Sequence, residues 1–240
     1  MGLVDLHLHL LPGVDDGART LEDSVAMARA LSALGFTALA PSPHHREEYA
    51  SRSRELCAQK LDEVRAALAS GGLSLELFVN AENFFLDDAL LSDVAAGTAR
   101  TLGRGKVLLV EAPYQGPLPM LADVVFRLKL KGVTPLIAHP ERCFEFEKKG
   151  RAAELVRGGA LLQLDVGALI GRYGKTAQRL ARGFLDDGLY AVAATDLHGP
   201  VGAEAWVGDS LKALEEAVGG AAFEELFSAR PRRLLAGDVS

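Results

Sequence analysis

Along this chain, short apolar runs that end in a histidine or a carboxylate alternate with longer stretches in which apolar residues recur at helical spacing. In Val4-Asp5-Leu6-His7-Leu8-His9-Leu10 the alternation has a period of two, the signature of a strand with unlike faces. Read that way, His7 and His9 point to one side, roughly 6–7 Å apart, while Leu6, Leu8 and Leu10 point to the other. Leu11-Pro12-Gly13-Val14-Asp15-Asp16-Gly17 carries turn chemistry. Leu21, Val25, Ala28 and Leu31 then mark an amphipathic helix that Thr20 and Asp23 are placed to cap and Gly35 to end. A second strand is expected over 36–40, leading to Pro43-His44-His45, followed by a long charged helix over 47–70 closed by Gly71-Gly72. Further strands are expected over 75–82, 106–110, 133–138, 160–166 and 190–195. The helical spacing predicts helices over 87–96, 119–131, 147–157, 175–187, 203–218 and 221–228.

Seven strand-then-helix units follow one another without a linker or low-complexity tract, which predicts one α/β domain over 1–240 built on a parallel sheet. Such a series winds into an open doubly wound sheet or a closed barrel. An open sheet gathers ligands only at a switch point served by some of its strands. Here nearly every strand ends in a ligand-type residue, and closure lets all of them converge. No glycine-rich nucleotide-binding fingerprint is present.

The strand ends supply His7 and His9, then His44 or His45, Glu82, Glu111, His139, and Asp196 with His198, a second pair two residues apart. Asp165 reads as structural, and Asp16 reads first as a turn residue. Buried together, the carboxylates repel one another and desolvation penalises their charge; divalent cations relieve both. A thiolate-free His/Asp/Glu set suits manganese, iron or zinc, and its size implies two or three ions. Ions a few Å apart share a bridging carboxylate, acidify a shared water and hold both oxygens of an in-line displacement, so phosphoester hydrolysis is the favoured reaction.

Composition narrows the partners. A net charge of −6 and a pI of about 5.6 give no basic field for a nucleic-acid backbone. No apolar run reaches bilayer length, so membrane association is expected only through a partner. Cys57 and Cys143 are too few for a disulfide framework, and the chain enters its first strand without a basic-then-apolar leader, so a reduced, cytoplasmic compartment is expected. Neither cysteine opens the C-x5-R loop of a thiol phosphatase, since Glu63 and Lys149 stand where the arginine belongs.

Val4-Asp5-Leu6-His7-Leu8-His9, Leu11-Pro12-Gly13-Val14-Asp15-Asp16-Gly17, Pro43-His44-His45, Ala81-Glu82, Glu111, His139-Pro140-Glu141-Arg142 and Thr195-Asp196-Leu197-His198, in that order, resemble the polymerase-and-histidinol-phosphatase (PHP) superfamily. Within it the P-G-V-D-D-G turn and the H-P-E-R tetrapeptide are similar to the capsule-associated, manganese-dependent tyrosine-protein phosphatases of bacteria. The resemblance implies a distorted, TIM-like (β/α)7 barrel with three metal ions. It implies that His7, His9 and Asp196 hold one ion with Glu82 as a bridge, that Glu111 and His139 hold a second with the same bridge, and that Asp16, His44 and His198 hold the third. It also implies a substrate, phosphotyrosine on the tail of a bacterial tyrosine kinase that governs polysaccharide export.

A tyrosine phosphomonoester leaves as a phenolate of pKa about 10, which needs less help from a general acid than an alkyl alcohol does. Arg142 can present a planar fork to the phosphoryl oxygens; its bland role is an ion pair with Glu141 or Glu145. One departure stands out. Related enzymes tend to carry a second arginine shortly after the D-x-H motif, yet Gly199-Pro200-Val201-Gly202-Ala203-Glu204 has none, which leaves Arg46 or Arg172 as substitutes. Three rivals share parts of the pattern: a small-molecule phosphatase of the histidinol-phosphate type or a related exonuclease, an amidohydrolase, and a non-catalytic regulator that holds metal and phosphopeptide. Amidohydrolases commonly carry a lysine on strand four, where this chain has Glu111.

Overall fold

A computed structural model describes residues 2–85 and 89–239 as a mixed α/β structure with parallel sheets. Strands β1 (Leu3–Asp5), β2 (Phe36–Leu39) and β4 (Glu76–Leu77) form one sheet in the order β1-β2-β4. A second sheet runs β3 (His44–His45), β5 (Glu82–Phe84), β6 (Val107–Glu111), β7 (Thr134–Ala138), β8 (Leu161–Asp165) and β9 (Tyr190–Ala194). The strand expected over 75–82 is therefore two short strands in different sheets, and the chain of β2 resumes pairing as β3. Beyond β1 the sheets meet again, because Leu8 forms a lone parallel bridge with Leu197. The His9 amide donates to the Leu197 carbonyl and the Asp196 amide to the His7 carbonyl, both at 2.9 Å.

The first apolar run forms a ladder only as far as Asp5. Past that point side chains take over its backbone groups: Asp5 accepts from the His7 amide, Ser42 Oγ from the Leu8 amide, and Asn80 Nδ2 donates to the Leu6 carbonyl. The bend breaks the expected alternation. Leu6 packs with Val4 in an inner apolar layer, whereas Leu8 and Leu10 join the outer one.

Helix α1 (Leu21–Ala33) starts at a complete capping box, with Thr20 and Asp23 each accepting from the other's amide. Helix α2 (Arg54–Ser70) begins later than the charge pattern predicts, because Ser53 caps the Leu56 amide and a 3-10 turn occupies Ala50–Arg52. Helices α3 (Ala89–Ala96) and α4 (Leu121–Leu130) follow; the first positions of the helix expected over 87–96 lie outside the described residues. Helix α5 (Arg151–Arg157) is shorter than its predicted span, since Gly150 at φ 80° separates it from a 3-10 turn over Phe144–Glu147. Helix α6 (Gly174–Asp186) precedes β9, and α7 (Ala203–Glu224) breaks at Gly219. After a π turn comes α8 (Arg230–Leu235), which the apolar pattern does not predict.

Two apolar layers decide where polar groups can stand. Leu108 and Val110 of β6 face outward onto Leu121, Val125 and Leu128 of α4. Val107 and Leu109 pack inward with Val4, Ala38, Leu136, Val192 and Leu234, a set drawn from both sheets and α8. Each such leucine, fully buried, contributes about 1.5–3 kcal/mol. Glu111 continues the Val107-Leu109 alternation, so it caps the inner layer at the carboxyl end of its strand. Among the described residues no helix is long and apolar enough to cross a membrane.

Candidate metal centre

All nine ligand-type residues singled out in the sequence stand together above that inner layer. The ligand atoms of His7, His9 and Asp196 lie within 4.8 Å of one another, as do those of His7, Glu82 and His139, those of His44, Glu82 and Glu111, and those of His9, Asp16, His44 and His198. His7 Nε2 is 3.1 Å from Asp196 Oδ1 and 3.3 Å from Glu82 Oε1. His9 Nε2 is 3.3 Å from Asp196 Oδ1, His139 Nε2 is 3.1 Å from Glu82 Oε1, and His44 Nδ1 is 2.7 Å from Glu82 Oε2. Asp16 Oδ1 sits 3.4 Å from His44 Nε2 and 3.6 Å from His198 Nε2, at the exposed rim. Glu82 is the common neighbour. Glu111 and His139, which the resemblance groups on one ion, approach it on separate sides and share no set of close ligand atoms.

Local structure explains each placement. Gly17 lets the Asp15-Asp16 turn fold onto the first run, because a Cβ there would lie 2.2 Å from the His9 carbonyl oxygen. His139 and Asp196 have φ of 32° and 50°, the two non-glycine residues at positive φ among the described ones. Each follows a strand end and turns its side chain back over the sheet at the expense of about 1–3 kcal/mol of backbone strain. His198 therefore reaches the cluster from an irregular turn, with its ring stacked 3.9 Å from that of His9, and not from a continued strand. Of the two candidates in Pro43-His44-His45, His44 faces the cluster while His45 hydrogen-bonds Asn83 Oδ1 at 3.1 Å.

Ring orientation is set from behind. With Nδ1 protonated, His9 donates to Asp15 Oδ2 at 2.8 Å, and the same oxygen accepts from the His44 amide. His198 Nδ1 donates to the Asp196 carbonyl at 2.8 Å, which leaves Nε2 toward Asp16. The Gln163 amide is 2.9 Å from His7 Nδ1; turned oxygen-first it accepts that proton and frees Nε2. Asp5 binds the Thr195 hydroxyl at 2.5 Å and the amides of His7 and Thr195, so it ties the first motif to the last. Burial pushes its carboxyl up to about 6 against those hydrogen bonds. Asp15, Asp5 and Gln163 were not singled out in the sequence. The D-x-H spacing of Asp5-Leu6-His7 was the one signal available for any of them.

The donor set fits metal ions. His7 Nε2, His9 Nε2, Glu111 Oε1 and Asp196 Oδ1 are buried and have no hydrogen-bond partner, a costly arrangement for polar atoms whose role is purely structural. Burial opposes ionisation of Glu82, yet His7, His139 and His44 hold its carboxyl well below the usual range; Asp196 behaves alike under His7 and His9. Nitrogen and oxygen donors without thiolate match a catalytic site for a borderline or hard divalent ion.

Two guanidinium groups flank the cluster. Arg142 Nη1 donates to Asp196 Oδ2 at 2.5 Å and Asp165 Oδ2 at 3.1 Å, Nη2 donates to Tyr114 Oη, and the group lies against the rings of Tyr114 and Tyr173. The ion pairs with Glu141 or Glu145 weighed for it do not form: Glu141 accepts from Tyr190 Oη and the Asp165 amide, and Glu145 pairs with Arg151. Arg46 pairs with Glu111, and Arg172 stacks over Trp206, outside the cluster. Cys143 is buried beneath the site, its Sγ 3.3 Å from the Ala112 carbonyl, and burial pushes its thiol up.

Comparison with known proteins places this geometry. Tyrosine-protein phosphatase YwqE of Bacillus subtilis is 30% identical over 198 residues, spanning 82% of this chain and 77% of that protein. Tyrosine-protein phosphatase CpsB of Streptococcus pneumoniae is 24% identical over 97% of this chain and 98% of that protein. A crystal structure from the work on YwqE and CpsB, described as unique metal-dependent tyrosine phosphatases, superposes with a TM-score of 0.90 at 27% identity and covers 99% of this chain and 96% of the other. The Escherichia coli phosphotriesterase homology protein shares the fold at a TM-score of 0.62 and 11% identity, with 97% of each chain covered. The family model for capsular polysaccharide synthesis, CpsB/CapC, matches residues 3–236, and the chain belongs to that family.

Proposed function

We propose that this chain is a manganese-dependent protein-tyrosine phosphatase that acts on the phosphorylated tail of a bacterial tyrosine kinase in polysaccharide export. The observation that carries the reading is the convergence of nine ligand-type residues, most of them buried and several with donor atoms that no hydrogen bond satisfies, set in a chain whose relatives are named tyrosine-protein phosphatases. His7, His9 and Asp196 would hold one ion and Asp16, His44 and His198 another, with Glu82, Glu111 and His139 completing the set between them. Bound there, two or three divalent ions supply an acidified water and neutralise phosphoryl charge; manganese, iron and zinc all fit these donors, and the choice of manganese rests on the family resemblance.

The chain's own contribution is orientation. Asp15, Gln163 and the Asp196 carbonyl fix three of the imidazole rings. Arg142, stiffened between two tyrosine rings and hydrogen-bonded to Asp196, would place its positive charge beside the cluster, where the equatorial oxygens of a phosphoryl group gain charge. A phenolate leaving group makes few demands on a proton donor.

A distorted (β/α)7 barrel in a single domain is the architecture we propose. Its support is the inner apolar layer shared by strands of both sheets and the Leu8–Leu197 bridge between the segments that follow β1 and β9. A cytoplasmic site of action accords with two unpaired, buried cysteines. Phosphate release from a tyrosine-phosphorylated kinase-tail peptide and from histidinol phosphate, each with EDTA and with added manganese, tests the assignment. Chelator-sensitive release that favours the peptide is expected. A strong preference for histidinol phosphate overturns the substrate, and phosphopeptide binding without release overturns the enzyme.

A further inference from the structure

The segment after Asp196-Leu197-His198 holds no arginine, so on that side the site lacks a second cation for a phosphoryl group. Arg142 stands at the end of the cluster formed by His7, His9 and Asp196. At the other end, where His44, Glu82 and Glu111 gather, the guanidinium of Arg46 pairs with Glu111 and lies 4.1 Å over the ring of Phe84. The two arginines are built alike. Each is flat against aromatic side chains, each touches one ligand-type carboxylate, and each is mostly buried, with side-chain exposures of 16% and 22%. Their hydrogen bonding differs. Arg142 has acceptors for both terminal nitrogens in Asp165, Asp196 and Tyr114. Arg46 Nε is buried without an acceptor, and Nη1 reaches only Glu48, at 3.9 Å.

We propose that Arg46 is the second phosphoryl-binding arginine of this protein and faces Arg142 across the cluster. The inference rests on the phosphatase reading of the site. Phe84 follows Glu82 by two residues on β5, so the ring that braces Arg46 and the carboxylate at the centre of the cluster are set by the same strand. Glu111 would be one of the residues that hold an ion, and with its charge shared in that way the N–H edge of Arg46 would be available to an anionic oxygen. Arginine suits the role because its planar fork can bind one phosphoryl oxygen while stacked, which an ammonium cannot do.

The test separates this assignment from the reading beneath it. Inorganic phosphate binding to manganese-loaded protein is measured by calorimetry for the wild type, Arg46→Gln and Arg46→Lys, with metal content read by mass spectrometry and folding by circular dichroism. The expected result is phosphate binding by the wild type, about tenfold or more weaker binding by Arg46→Gln at unchanged metal content, and an intermediate value for Arg46→Lys. With para-nitrophenyl phosphate, the KM of Arg46→Gln rises. Equal phosphate affinity in the wild type and both variants overturns the assignment and leaves the metal site standing. Loss of metal in Arg46→Gln and Arg46→Lys alike overturns it in favour of a role for Arg46 in positioning Glu111. A wild type that binds neither manganese nor phosphate overturns the phosphatase reading itself, and this one with it.

Discussion

Asp196 divides its carboxylate, with Oδ1 turned to His7 and His9 and Oδ2 2.5 Å from Nη1 of Arg142. A guanidinium so placed both fixes a ligand-type carboxylate and fronts the mouth of the site. Arg142→Lys keeps the charge but cannot span Asp165, Asp196 and Tyr114 together. We expect kcat/KM on phosphopeptide to fall by about 10²-fold, and manganese affinity by about tenfold. Steady-state kinetics combined with metal titration checks both. Unchanged metal affinity would mean that His7 and His9 alone hold Asp196 in place.

Asp15 serves two ligand-type residues with one oxygen, accepting from the His9 ring and from the backbone amide of His44. Asp15→Ala removes both without touching a donor atom of the cluster. Manganese affinity should drop about 10–100-fold, the usual result of losing such an outer hydrogen bond. Activity should return at high manganese, which a folding defect would not allow.

Buried atoms without partners make the metal-free protein less stable than its core alone implies. Manganese at about a hundredfold over its Kd should add about 2.7 kcal/mol. For a chain of 240 residues this raises Tm by about 5–10 °C. EDTA should reverse the shift, and Asp196→Ala should blunt it. A Tm indifferent to manganese in the wild type would contradict a metal site at these residues.

Much of this site could be read from strand periodicity, because a run such as Val107-Leu108-Leu109-Val110 that ends in Glu111 carries its own geometry. The alternation that buries Leu109 inward also fixes the direction of Glu111. Other features depend on contacts far apart in sequence. The left-handed turns at His139 and Asp196 fall on residue types enriched at positive φ, but such residues adopt it so seldom that the sequence alone does not single out these two positions. The strand expected over 75–82 splits into one piece paired with β2 and one paired with β3, and between them Asn80 donates its side chain to the Leu6 carbonyl 74 positions away. Asp15 looks like any turn aspartate until His9 and His44 arrive beside it. Arg142 was placed by its motif, but its true partners, Asp165 and Asp196, lie at the ends of two later strands.

Gly17 carries a constraint that its turn context alone does not convey. Its φ is not in the left-handed region; instead a Cβ would meet the His9 carbonyl oxygen at 2.2 Å and the His9 Cβ at 2.3 Å. Gly17→Ala must push the Asp15-Asp16 turn off the first run and with it the Asp15 hydrogen bond to His9. We expect manganese affinity to weaken at least as far as in Asp15→Ala, with destabilisation of about 1–3 kcal/mol from overpacking. Chemical denaturation and metal titration measure the two effects separately.

Cys143 lies one residue after Arg142, close enough to the mouth that labelling experiments could mistake it for a nucleophile. Its thiol is buried, 3.3 Å from the Ala112 carbonyl, and burial with Glu141 nearby raises its pKa far above the range in which a thiolate forms at neutral pH. Cys143→Ser keeps a donor for that carbonyl in nearly the same volume. The variant should release phosphate within about twofold of the wild type, and iodoacetamide should leave the manganese-loaded enzyme active, since nucleophilic attack by sulfur requires the thiolate. A Cys143→Ser protein that bound manganese normally yet released no phosphate would point instead to a covalent phosphocysteine route and remove the basis for assigning the chemistry to the metal cluster.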